Sequence, residues 1–166
     1  MRTLLLVLAV TQPPPERLVY FPGSIWHQRV ELKATEKIAL VGHSAGAHSA
    51  AMLAFDPANK GRIRKVTLLS GVYRVGLGVR LVNLGPWNKP YMAFRGIPTQ
   101  DASPLYNVPP AEPDSPVFEI YYASRDLPGL RMQSEAFYRA LIAQGYTATL
   151  HEVPATHMSI PGALGY

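Results

Sequence analysis

An α/β fold with a mostly parallel sheet is predicted by three observations on this chain of 166 residues. Apolar runs of strand length alternate with helix-like segments along most of it. The run Lys37–Val41 passes through Gly42-His43-Ser44-Ala45-Gly46 into the helix-like Ala45–Phe55. A strand, Gly-x-Ser-x-Gly and then a helix is the context of a nucleophile elbow. The last third repeats the alternation, with strand-like Val117–Tyr122, helix-like Leu130–Gln144 and strand-like Thr147–Val153. The length suits one domain, 1–166, with flanking helices around a sheet of reduced strand number.

The elements follow in order. Thr3–Val10 is the first apolar run, and Pro13-Pro14-Pro15 ends it. With one basic residue before it, the run also looks superficially like a signal peptide. No small-x-small cleavage site follows, and a buried strand fits about as well or better. The run is too short to span a bilayer. Leu18–Phe21 is a second strand, stopped by Pro22-Gly23, and Gln28–Glu36 reads as a short helix. Ile38–Val41 is the strand before the elbow, and Ala45–Phe55 is the helix after it, ending near Asp56-Pro57. Lys65–Ser70 is the next strand. The pattern loosens in 71–115, which is rich in proline and carries Trp87, Tyr91, Phe94 and Tyr106. A lid or pocket wall and a loop over a small satellite core both fit that segment. In Leu130–Gln144, Ala136, Phe137, Ala140 and Leu141 recur at helical spacing, and Gly145 stops the helix.

The composition is 48% hydrophobic and 16% charged, ordinary for a globular protein. The formal charge is +5, but the basic residues are scattered, without a block or interleaved aromatics, which argues against nucleic-acid binding. There are no cysteines, so disulfides and thiolate metal sites are ruled out, and a reducing, cytoplasmic location is expected. The five histidines show no metal-ligand spacing, and there is no phosphate-binding glycine loop, so no cofactor is expected.

A serine needs a base to take its proton, and the base needs a carboxylate to orient it. With this elbow the expected chain order is Ser, then Asp or Glu, then His. Asp126 and His157 each follow a strand by a few residues, giving the order Ser44, Asp126, His157. Asp126 also suits a helix cap before Pro128, and an isolated histidine is more often structural. The order and spacing favour the catalytic reading of both. His151, within a strand, and Asp101 and Asp114, which do not closely follow strands, rank lower. His43 is expected to pack under the elbow or line the substrate pocket. The Ala45 N–H opens the elbow helix, where amides can face an oxyanion.

These residues resemble the α/β-hydrolase superfamily, in its carboxylesterase branch that includes kynurenine formamidases. Gly42–His48 is similar to that branch's elbow, Leu69-Ser70-Gly71-Val72-Tyr73 to its next strand, and Asp101–Leu105 to its Ala-Ser-Pro segment. Ser124–Leu130 with Gln133-Ser134 is similar to its acid loop, and Thr156–Ser159 to its histidine loop. The resemblance implies a Ser44, Asp126, His157 catalytic triad. It also implies a His-Gly-Gly-x-Trp loop completing the oxyanion hole, but this chain has no Gly-Gly. Its counterpart is Pro22-Gly23-Ser24-Ile25-Trp26, which makes Gly23 and Ser24 the expected partners of Ala45. Only 43 residues precede Ser44, so a domain shortened on its N-terminal side, a partial hydrolase, is expected. Apolar sheet surface left open by missing elements would favour self-association as a homo-oligomer.

The expected function is hydrolysis of carboxylic esters or aryl formamides, small molecules contacted by His43, Trp87, Tyr91 and Phe94. The alternative is a catalytically impaired fragment acting as a binding module. Acyl transfer would use the same triad, and sequence does not separate it from hydrolysis.

Overall fold

In the computed structural model the described residues are 17–21, 38–76 and 97–166. They contain five strands: β1 (Arg17–Phe21), β2 (Ile38–His43), β3 (Ile63–Leu69), β4 (Val117–Arg125) and β5 (Ala148–Thr156). The α-helices among them are α1 (Ala45–Phe55), α2 (Leu130–Ala143) and the short α3 (Ile160–Ala163). The strands form one sheet in the order β1-β2-β3-β4-β5, and each neighbouring pair is parallel. The expected strand Thr3–Val10 and helix Gln28–Glu36 lie outside the described residues.

Period-two alternation sorts the side chains of the sheet onto two faces. Ile38 and Leu40 of β2, Val66 and Leu68 of β3, and Phe118 and Ile120 of β4 enter one core. Ala47, Ala50 and Ala51 of α1 and Phe137 and Leu141 of α2 pack into this same core. The alanines carry no bulk, so α1 can lie close against the strands. Phe137 stacks on Tyr73 with ring centroids 4.3 Å apart and planes 5° apart, and meets Phe118 edge-on at 6.3 Å. On the opposite face, Val41, Leu69, Ala123, Val153 and Ala155 pack with Ile160 of α3.

The described flanks of 71–115 are partly core. Tyr73, Val75, Ala102 and Ser103 are buried, whereas Tyr106 is exposed under the Arg74 guanidinium. Three strands run on past their expected ends, β2 among them, from Val41 to His43. β4 continues past Tyr122 to Arg125, and β5 continues through Pro154 to Thr156. Proline has no N–H for a ladder, which is why Pro154 reads as a strand end. β5 is at the edge of the described sheet, however, and its register with β4 shifts between Ala123 and Arg125, where a proline is tolerated.

These extensions place the chemistry. Ser44 is the first residue after β2, Ser70 after β3, Asp126 after β4 and His157 after β5. Four parallel neighbours thus deliver four polar side chains to the carboxyl edge of the sheet, where ligands bind in folds of this kind.

Candidate active site

The site begins with the turn between β2 and α1. Ser44 has φ 55° and ψ −116°, a conformation that costs an L-residue roughly 1–3 kcal/mol and persists only when its surroundings hold it. Two clamps do so here. The Ser44 N–H donates to Leu69 O at the end of β3 at 2.9 Å, and Ser44 O accepts from Ala47 N–H at 3.1 Å. Gly42 makes the turn sterically feasible. A Cβ there would lie 2.3 Å from Gly46 O and 2.7 Å from Ala47 Cα. The Ala45 N–H is the first of α1, and helix geometry gives it no acceptor within the helix.

From Ser44 a chain of hydrogen bonds runs inward. Ser44 Oγ lies 3.0 Å from His157 Nε2, and His157 Nδ1 lies 2.8 Å from Asp126 Oδ1. His157 and Asp126 are nearly buried, while Ser44 is half-buried. A hydrogen bond screened from water is stronger than an exposed one. The three residues singled out by order along the chain therefore stand in one relay.

Asp126 accepts from four donors. Oδ1 takes His157 and the Leu127 N–H at 2.8 Å, and Oδ2 takes the Ser70 hydroxyl at 2.5 Å and the Ala123 N–H at 3.1 Å. Burial pushes the Asp126 carboxyl up. The bonds from His157, Ser70, Leu127 and Ala123 outweigh burial and leave it below its ordinary value. The carboxylate is thus held ionised, as an orienting acid must be. It does not cap the following helix, because Gly129, with φ 86°, occupies the N-cap of α2.

His43 packs under the elbow, one of its two expected placements. Its Nε2–H donates to His157 O at 2.8 Å, and the two rings are 4.9 Å apart. Burial lowers its pKa, the bond to His157 O opposes that, and the nearby His157 charge lowers it further. A neutral ring with its proton on Nε2 meets both conditions. His48 is likewise buried, with its Nε2 2.7 Å from Ala102 O, and burial lowers its pKa too.

The lower-ranked candidates stay outside this group. His151 is exposed and stacked on Tyr121 at 5.0 Å. Asp101 is exposed in a turn, and Asp114 sits beside Gly61, before the start of β3. Gly23, Ser24, Trp87, Tyr91 and Phe94 lie outside the described residues. β1 does pair with β2, so that Phe21 stands opposite Gly42. Sequence reasoning missed Ser70 as a partner of Asp126. Its one signal is a polar residue ending an apolar strand just before Gly71.

Among the described residues, no group of three or more His, Cys, Asp and Glu is placed to hold a metal ion. No described helix is long and apolar enough to cross a membrane.

No family model matches the chain, and no curated protein matches it. Solved structures do. An esterase of Pyrobaculum calidifontis is 23% identical, with a TM-score of 0.56 over 78% of this chain and 47% of that one. The butyrate-bound esterase Est2 of the planctomycete Thermogutta terrifontis is 20% identical, with a TM-score of 0.53 over 74% of this chain and 47% of its own. An acylaminoacyl peptidase bound to a chloromethyl ketone is 17% identical, with a TM-score of 0.57 over 76% of this chain and 21% of its own. The chain spans less than half the length of these proteins. The parallel sheet, its helices and these likenesses establish that the chain has the α/β-hydrolase fold.

Proposed function

We propose that the protein is a serine hydrolase of carboxylic esters, with aryl formamides as a second substrate class. The relay Ser44–His157–Asp126, at 3.0 and 2.8 Å, carries this reading. Ser44 Oγ attacks the substrate carbonyl carbon as its proton passes to His157 Nε2. The C–O bond of an ester, or the C–N bond of a formamide, then breaks as His157 returns that proton to the leaving group. Water, deprotonated by His157, attacks the acyl-serine, and the bond from the acyl carbon to Ser44 Oγ breaks as His157 gives that proton back to Oγ and the acid leaves. Asp126 stays ionised throughout and holds the Nδ1 proton, which keeps Nε2 free to act as base.

Charge develops on the carbonyl oxygen in both steps. In this reading the Ala45 N–H stabilises it together with Gly23 or Ser24. One such donor is worth roughly 2.7–4 kcal/mol of barrier. The aromatic residues Trp87, Tyr91 and Phe94 are assigned to the substrate pocket on their sequence alone.

Turnover of p-nitrophenyl butyrate and of formanilide by the wild type and by Ser44→Ala tests the proposal. It predicts Ser44-dependent release of product. Equal rates in both proteins would reject it. The Pro22-Gly23-Ser24 segment, which lacks the Gly-Gly that the resemblance implies, favours a second reading, a binding module with an impaired oxyanion hole. That reading predicts no turnover in either protein, together with ligand binding unchanged by Ser44→Ala.

A further inference from the structure

Among the described residues, two that are not glycine have positive φ, Ser44 at 55° and Ser70 at 47°. Each stands immediately after a strand, and the two strands, β2 and β3, are parallel neighbours. Both hydroxyls reach the same buried pair. Ser44 Oγ bonds to His157 at 3.0 Å, and Ser70 Oγ donates to Asp126 Oδ2 at 2.5 Å. The proposed reaction uses the first contact and leaves the second without a role.

Ser70 is completely buried, and its N–H donates to Tyr121 O at 2.8 Å. It is therefore tied to β4, the strand that presents Asp126. Its left-handed backbone would suit glycine with no steric cost. A serine held there at a penalty points to a use for its hydroxyl. Without that hydroxyl, Oδ2 would keep one donor, the Ala123 amide at 3.1 Å. The carboxylate would then be gripped mainly through Oδ1 and could turn about its Cβ–Cγ bond.

We infer that Ser70 is a positioning residue of the site, fixing the Asp126 carboxylate so that Oδ1 faces His157 Nδ1. The inference rests on the serine-hydrolase reading for its kinetic consequence, but the contact itself has a readout independent of turnover.

Two variants separate hydroxyl from backbone. Ser70→Ala removes the hydroxyl alone, and Ser70→Gly also removes the conformational penalty, so it protects against loss of folding. In either, kcat for p-nitrophenyl butyrate should fall roughly tenfold, the worth of a modest charge-assisted hydrogen bond, with KM within twofold of wild type. In an Asp126→Asn background the same substitutions should change kcat less than twofold, because the group they act through has lost its charge. Independently, the Asp126 carboxyl, followed by 13C NMR, should titrate at higher pH in both variants than in the wild type. Equal fold-losses in the two backgrounds, wild-type kcat in both variants, or an unmoved Asp126 titration would overturn the inference. Were the wild type inactive, the hydrolase reading would fall, and the Asp126 titration would still decide whether Ser70 holds the carboxylate.

Discussion

Gly42→Ala is the sharpest test of how the elbow is built. The added methyl would sit 2.3 Å from Gly46 O, 2.6 Å from Gly46 C and 2.7 Å from Ala47 Cα. All three are backbone atoms at the start of α1, so no side chain can swing aside. Relief requires β2 and the first turn of α1 to separate by about 0.7 Å merely to reach the closest approach real methyl groups make. Overpacking usually costs about 1–3 kcal/mol, and a backbone-only clash belongs at the upper end of that range. For a chain of this size about 3 kcal/mol lowers Tm by roughly 6–12 °C. The same shift acts on the hydroxyl of Ser44, now 3.0 Å from His157 Nε2. A displacement near 1 Å can cost on the order of 100-fold in rate. Thermal unfolding and the rate of labelling by a fluorophosphonate measure the two effects separately. A variant with Tm within 2 °C of wild type and an unchanged labelling rate would refute this account of the turn.

Gly162→Ala is the matching control. Nothing lies within 4 Å of a Cβ at that position in α3, so Tm should hold or rise, by at most the equivalent of about 1 kcal/mol. His43→Ala removes the donor to His157 O, a buried bond of 2.8 Å, and leaves that carbonyl unsatisfied. The cost is about 1–3 kcal/mol in urea unfolding, with a labelling rate about tenfold lower as the histidine loop loosens. Stability should also fall as pH drops below 6.5, since burial holds His43 and His48 below that ordinary value in the folded state only. Between the folded and unfolded values the unfolded chain binds more protons, so the limiting slope from two such histidines is about 2.7 kcal/mol per pH unit. Urea midpoints at pH 7 and 5.5 read it, and His48→Gln should reduce the difference. A midpoint that rises on acidification would reverse the assigned sign.

Much of this architecture is legible in the sequence because local and global signals agree. The run Ile38–Val41, the glycines around Ser44 and the alanine-rich helix after them each favour the same strand–turn–helix unit. Asp126 and His157 are legible through chain order, since parallel strands must deliver their ends to one edge. Legibility fails where a contact depends on partners far along the chain. His43 and the His157 carbonyl it holds are 114 residues apart, and Ser70 and Asp126 are 56 apart. The polar residue that ends the apolar run before Gly71 marks Ser70, but no local pattern marks the partner of either bond. Pro154 misleads in the opposite sense. It signals a strand end, yet an edge position beside a register shift lets β5 run on and bring His157 directly to the sheet edge.

In the proposed function the elbow, His157 and Asp126 make Ser44 a nucleophile. Intact-mass and peptide mapping after exposure to a fluorophosphonate tests it most directly. One covalent adduct per chain is expected, on the peptide containing Ser44, absent in Ser44→Ala and slowed by orders of magnitude in folded His157→Ala. Folded wild-type protein that takes up no adduct, or an adduct that persists in Ser44→Ala, would contradict it.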